Sequence, residues 1–266
     1  MCCKYCFYRF YQLPLSFRLT IKPLLLNQQY TYFAILAASI AGPLLLSFDK
    51  KVAFYKQWKY VFPAMLLPAL FYILWDIFFT EKGVWSFNEQ YITGIKLYNL
   101  PVEEVLFFVI VPYCCIFIYA CVRAYFPNIK NRGTGDLLFQ IIAVAALLFG
   151  ILQYDKYYTG YTFLLLAVFI AIYYIFRSFF KGFSATYFLI AYAIILLPFL
   201  FVNGLLTAIP VVLYNNDENM SLRIYTIPFE DVFYGMLLVF LNILMYEKLK
   251  YKSTMETHSK SDAQAL

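Results

Sequence analysis

The chain has 266 residues, of which 63% are hydrophobic, 22% aromatic and only 14% charged. Soluble domains average about 25% charged residues, and several uncharged runs here approach the ~20 residues that cross a hydrocarbon core, so a soluble globular fold is excluded. The net charge of +6 requires no nucleic-acid partner, because lysines and arginines flanking membrane helices orient them.

Residues 1–29 contain Lys4, Arg9, Arg18 and Lys22 but no compact apolar core, unlike a signal peptide. They are expected to form an extension outside the fold, either disordered or a start-site artefact. Seven membrane helices are then predicted over 30–48, 60–80, 101–124, 137–153, 160–176, 185–207 and 228–247. The expected fold class is all-α, polytopic and membrane-embedded.

The third and seventh helices open alike. Leu100-Pro101-Val102-Glu103-Glu104-Val105-Leu106-Phe107-Phe108 returns 127 positions later as Ile227-Pro228-Phe229-Glu230-Asp231-Val232-Phe233-Tyr234. Proline suits the first turn of a helix, and acids there meet the positive end of the helix dipole. The same offset carries Asp76 onto Asn203, Asn88 onto Asn215, Lys96 onto Arg223, Tyr98 onto Tyr225 and Tyr119 onto Tyr246. The expected organisation is therefore a first repeat over 30–125, a linker with a connecting helix over 126–156, a second repeat over 157–252 and a polar tail over 253–266. In this 3-1-3 order the connecting helix lets the second triplet insert in the same sense as the first, giving parallel repeats about an axis along the membrane normal.

Basic residues sort to one side: Lys50, Lys51, Lys56, Lys59, Arg123, Lys130, Arg132, Arg177, Lys181, Lys248, Lys250 and Lys252. Beyond residue 29 the other side holds only Lys82, Lys96, Lys156 and Arg223. The positive-inside rule places the C-terminus in the cytoplasm and both acidic motifs toward the outer leaflet.

Five acids converge on that outer side: Asp76, Glu103, Glu104, Glu230 and Asp231. A charge at membrane depth costs about 2.5–3.5 kcal/mol on insertion scales, so such groups usually serve a function. The only histidine, His258, lies in the polar tail, which argues against a histidine base or a His-ligated metal. Cys2, Cys3 and Cys6 lie near the start, and Cys114, Cys115 and Cys121 share one apolar helix and read as packing residues; no zinc spacing is present. No G-x-G-x-x-G occurs, so no nucleotide cofactor is expected. Paired carboxyls in apolar surroundings favour sharing a proton, whereas the helix dipole favours the anion, and the residues alone leave that balance open. A protonated member can act as a general acid while its ionised neighbour stabilises positive charge or takes a proton back. Phe107, Phe108 and Tyr234 share helix faces with acids four residues before them, and their rings can stabilise a cation. Trp75 and Trp85 flank the same side and read first as interfacial anchors.

Trp75-Asp76, Gly83-Val84-Trp85-Ser86-Phe87-Asn88 and the Leu100–Phe108 stretch resemble the membrane-integral lycopene cyclases, found as two small subunits or as fused proteins. Ile227–Phe233 is similar to the second subunit's motif. The resemblance covers about residues 30–250 and implies a fused form of this family. It implies redox-neutral, proton-initiated closure of lycopene ψ-ends to β-ionone rings, giving γ-carotene and β-carotene, an intramolecular lyase (isomerase) reaction without a cofactor. It implies Glu103 and Glu230 as the principal acid/base pair, Glu104 and Asp231 as tuning or relay groups, and Asp76 as a further candidate. Phe107, Phe108, Tyr234 and Trp75 would line the substrate. Asn203 in place of a second Asp76 favours one composite site over two. The implied partners are lycopene or a related acyclic carotenoid and the lipid bilayer of the cell membrane, with other carotenoid enzymes or a second copy left open. A 3-1-3 sugar transporter lacks a Pro-Gln motif here, a prenyltransferase lacks its Asp-rich motif, and a retinal protein lacks a lysine in the last helix.

Overall fold

The computed structural model describes residues 27–129 and 133–264. Residues 1–26, Lys130, Arg132 and the side chain of His258 lie outside the described residues, and so do the expectations attached to them. Helices α1 (Thr31–Leu46), α2 (Trp58–Glu81), α3 (Val102–Tyr125), α4 (Thr134–Leu152), α5 (Tyr157–Ile175), α6 (Ala185–Ala208) and α7 (Glu230–Gln264) follow in order. Every predicted end but one falls within a helical turn of the observed end. The exception is α7, which continues through the segment expected as a polar tail. Its last turns are polar, and Lys252 Nζ lies 3.9 Å from Glu256 Oε1 one turn on.

Among the described residues, seven helical spans are long and apolar enough to cross a membrane, the last being Glu230–Glu256. Prolines inside α1, α2, α3 and α6 are compatible with that setting, where neighbouring helices re-satisfy freed backbone groups. The spans of α3 and α7 are the most buried, at 61% and 67%, and the two helices touch each other at the centre of the bundle. Both acid-bearing helices are thus interior elements.

Short extended segments cap the acid-bearing end. Strand β1 (Trp85–Phe87) and β4 (Val212–Tyr214) come from loops 127 positions apart. They pair antiparallel with Ser86 opposite Leu213, Trp85 opposite Tyr214 and Phe87 opposite Val212. The ladder extends at both ends, Asn88 N donating to Val211 O at 2.9 Å and Asn215 N to Val84 O at 2.8 Å. An antiparallel pair centred on two corresponding residues maps onto itself by a half-turn, so these loops meet about a local two-fold axis.

Each loop ends in a small hairpin: β2 (Lys96–Leu97) with β3 (Leu100–Pro101), and β5 (Arg223–Ile224) with β6 (Ile227–Pro228). Tyr98 and Tyr225 take positive φ of 60° and 59° at the two turns. Val102 N donates to Ile95 O at 2.9 Å and Phe229 N to Leu222 O at 3.0 Å. One expectation is corrected here. Pro101 and Pro228 sit in the strands that feed the helices rather than in the first helical turn, Pro101 having an extended ψ of 147°. A residue without an N–H is tolerated at such a strand edge. The acids do occupy the first turns, as expected.

Candidate active site

All five acids are buried: Asp76 is 1% exposed, Glu103 0%, Glu104 8%, Glu230 0% and Asp231 2%. No lysine or arginine lies within ion-pair distance of any of them among the described residues. Buried carboxyls without a counter-ion are costly and therefore mark function or a dedicated hydrogen-bond role. Their contacts fall into two groups.

Glu103 and Glu230 face the backbone of their own loops. Glu103 Oε1 accepts from Thr93 N at 2.7 Å, and Glu230 Oε1 accepts from Met220 N at 2.8 Å. Thr159 Oγ1 adds a second bond to Glu230 Oε1 at 2.7 Å. Each carboxylate therefore ties the preceding loop to its helix start, and neither lines the central cavity.

Glu104 and Asp231 do line it, together with Asp76, in a space of about 40 Å³ under the β1–β4 ladder. The hydroxyl of Tyr32, on α1, donates to Glu104 Oε2 at 2.6 Å. Tyr158, on α5, donates to Asp231 Oδ1. Asp231 Oδ2 accepts from Tyr214 Oη at 3.1 Å and from Asn203 Nδ2 at 3.4 Å. Asp76 Oδ2 is buried with no hydrogen-bond partner. Tyr214 stands in β4, outside the helices. Burial, then the nearby Asp231 and Glu104, hold its hydroxyl well above the usual range, so it remains a proton-bearing donor.

Aromatic rings supply the rest of the wall. Phe107, Trp85, Tyr158, Tyr214 and Tyr234 all border the cavity. Trp85 lies 5.2 Å from Tyr158 and 5.9 Å from Tyr234 between ring centroids. Phe107 and Tyr234 each follow a cavity acid by three residues, and that spacing also keeps them on one helix face. Phe108 is set behind, 5.5 Å from Tyr72, and Trp75 packs at a tilt behind Tyr234 at 5.0 Å without bordering the cavity. Trp85, expected as an interfacial anchor, also forms part of the cavity wall. Tyr32, Tyr158 and Tyr214 were not singled out from sequence. Twenty-six tyrosines gave no local signal to separate three of them.

Carboxyl groups, hydroxyl donors and ring faces around a small enclosed space suit proton transfer and stabilisation of a carbocation. The model of one protein family, lycopene cyclase, matches residues 29–122 and 155–249. The chain belongs to the lycopene cyclase family. Among curated proteins it is similar to a bifunctional lycopene cyclase/phytoene synthase of Gibberella fujikuroi, 25% identical over 125 residues, covering 46% of this chain and 20% of that protein. It is also similar to a protein of the same description from Aspergillus niger, 29% identical over 75 residues, 26% of this chain and 13% of that one. The matched segments thus span a fifth or less of those relatives. No solved structure matches the chain significantly. Each matched segment of this lycopene cyclase family member holds one acidic motif, and the central cavity draws one acid from each motif, with Asp76 added from the first segment.

Proposed function

We propose that the protein is a membrane-integral lycopene cyclase, the fused counterpart of the two-subunit enzymes, working in the cell membrane with its C-terminus in the cytoplasm. Its substrate is lycopene or a related acyclic carotenoid. The proton adds to the terminal double bond of a ψ-end, the tertiary cation is attacked by the nearby double bond to form the ring carbon–carbon bond, and a ring proton leaves. The net change is an isomerisation giving a β-ionone ring, with γ-carotene and then β-carotene as products, and no redox equivalent is consumed.

The observation that carries this reading is the convergence of Glu104 and Asp231, one from each acidic motif, on one aromatic-walled cavity. The roles divide by their hydrogen bonds. Asp231, with three donors on it, is the carboxylate arranged to face a cation and take a proton back. Glu103 Oε2, Glu230 Oε2 and Asp76 Oδ2 are all buried without a partner, but of these three acids only Asp76 borders the cavity, so Asp76 and Glu104, which has one donor, are the groups suited to deliver the proton. Glu103 and Glu230 act as positioning residues, holding the loops that close the cavity. Phe107, Tyr234 and Trp85 stabilise the cation, with Phe108 and Trp75 supporting them from behind.

The test is expression in a lycopene-accumulating host. Cyclised pigment is expected from the wild-type chain, and unchanged lycopene from Glu104→Gln and Asp231→Asn. Unchanged lycopene from the wild type, with the protein present in membranes, would defeat the proposal.

A further inference from the structure

A second cavity, almost wholly apolar and of about 680 Å³, runs between α1, α3 and α6. Its volume falls within the ~300–1,000 Å³ typical of small-molecule sites. Along α1 it extends from Thr31 to Pro43, about 18 Å at ~1.5 Å per residue. It opens sideways: Ala34, Ala38 and Phe201 on its rim are exposed on the face that a bilayer would cover. Its inner end reaches the acids, because Phe199 and Asn203 border both this groove and the acidic cavity. Phe199 stands between the two spaces and is itself seated on Gly235, where a Cβ would come within 2.6 Å of its ring.

The corresponding place on the other side of the bundle is filled. Moving by the 127-residue offset turns groove residues Cys114, Pro198, Val202 and Leu205 into Leu241, Phe71, Trp75 and Phe78. Those rings are packed: Phe71 lies 5.3 Å from Phe169, Trp75 5.0 Å from Tyr234 and Phe78 6.2 Å from Tyr161. The span of α5 is 50% buried, with α4 packed along it, against 17% for α1. Small side chains open one flank of the bundle and large ones close the other.

We propose that the α1–α3–α6 groove binds the long hydrocarbon shaft of a linear polyene, entered sideways from the lipid, and that Phe199 divides it from the acids. This rests on the cyclase reading above and adds to it where the substrate lies and how its ends are presented. One groove serving one acidic cavity accepts one end at a time. A substrate with two reactive ends must withdraw and re-enter reversed before its second ring forms, so the monocyclic product is a released intermediate.

The experiment uses the purified full chain in liposomes and follows lycopene retained by the protein, products at low conversion, and melting temperature. Ala38→Phe and Val202→Trp fill the groove, the second copying Trp75. Leu148→Phe, on the exposed face of α4, is the control. The groove variants are expected to lose lycopene retention and turnover by about tenfold or more with an unchanged melting temperature, while the control matches wild type. Monocyclic product is expected to precede bicyclic product. Retention lost in both groove variants without any wild-type turnover would support the groove and sink the cyclase reading. Wild-type turnover with retention unaffected by either groove variant, or bicyclic product appearing first, would overturn the groove proposal. A wild-type chain that neither retains nor converts lycopene overturns both.

Discussion

Tyr32 reaches 72 positions along the chain to donate its hydroxyl to Glu104 Oε2 at 2.6 Å, wholly inside the protein. On the other side of the cavity Asp231 accepts from Tyr158, Tyr214 and Asn203. Glu104 is therefore held by one donor and Asp231 by several, and that inequality makes an ordering of effects testable.

A hydrogen bond to a charged group contributes about 1.5–3 kcal/mol, which corresponds to roughly ten- to a hundredfold in rate if lost in the transition state. Tyr32→Phe is expected to lower lycopene turnover by about that factor. Tyr214→Phe is expected to cost less, because Tyr158 and Asn203 remain on Asp231. Turnover of the two variants in liposomes checks the order, and an equal or larger loss from Tyr214→Phe would contradict it.

The two acids of each motif are expected to fail differently. Glu104→Gln should abolish cyclisation and leave the melting temperature near that of the wild type. Glu103→Ala leaves the part-buried Thr93 amide without its acceptor, a cost of about 1 kcal/mol in stability. Glu103→Gln keeps an acceptor oxygen and should retain most activity and stability. Pigment analysis alongside thermal unfolding separates the cases.

Asn203 stands at the position that corresponds to Asp76 and donates to Asp231 Oδ2 at 3.4 Å. Asn203→Asp would replace a donor with a second acid beside Asp231. Like charges in a buried site repel, so turnover is expected to fall by about tenfold or more. Asn203→Ala removes the donor without adding a charge and should be the milder change. A more active Asn203→Asp variant would show that the two flanks need not differ at this position.

Gly235 leaves the space that the Phe199 ring fills. Gly235→Ala should push that ring from its seat, with an overpacking cost of about 1–3 kcal/mol and reduced turnover. Phe199→Leu in the same chain gives the added methyl room and is expected to recover stability. The paired melting temperatures test this coupling.

Hydropathy, charge and the 127-position echo were enough to place seven helices and to put two acid pairs at the heads of α3 and α7. Those features are local: an uncharged run of membrane length forms a helix wherever it packs, and first-turn acids answer to the dipole of their own helix. Which acid of each pair turns inward was not legible, because neighbours in a helix point about 100° apart and only the surrounding helices fix the rotation. The resemblance weighted Glu103 and Glu230. Packing instead directs those two to loop amides and turns Glu104 and Asp231 to the cavity. The tyrosines on those acids, Asn203 beside Asp231 and the single open flank likewise depend on contacts between distant segments, where side-chain volume and hydrogen-bond reach decide what local pattern leaves undetermined.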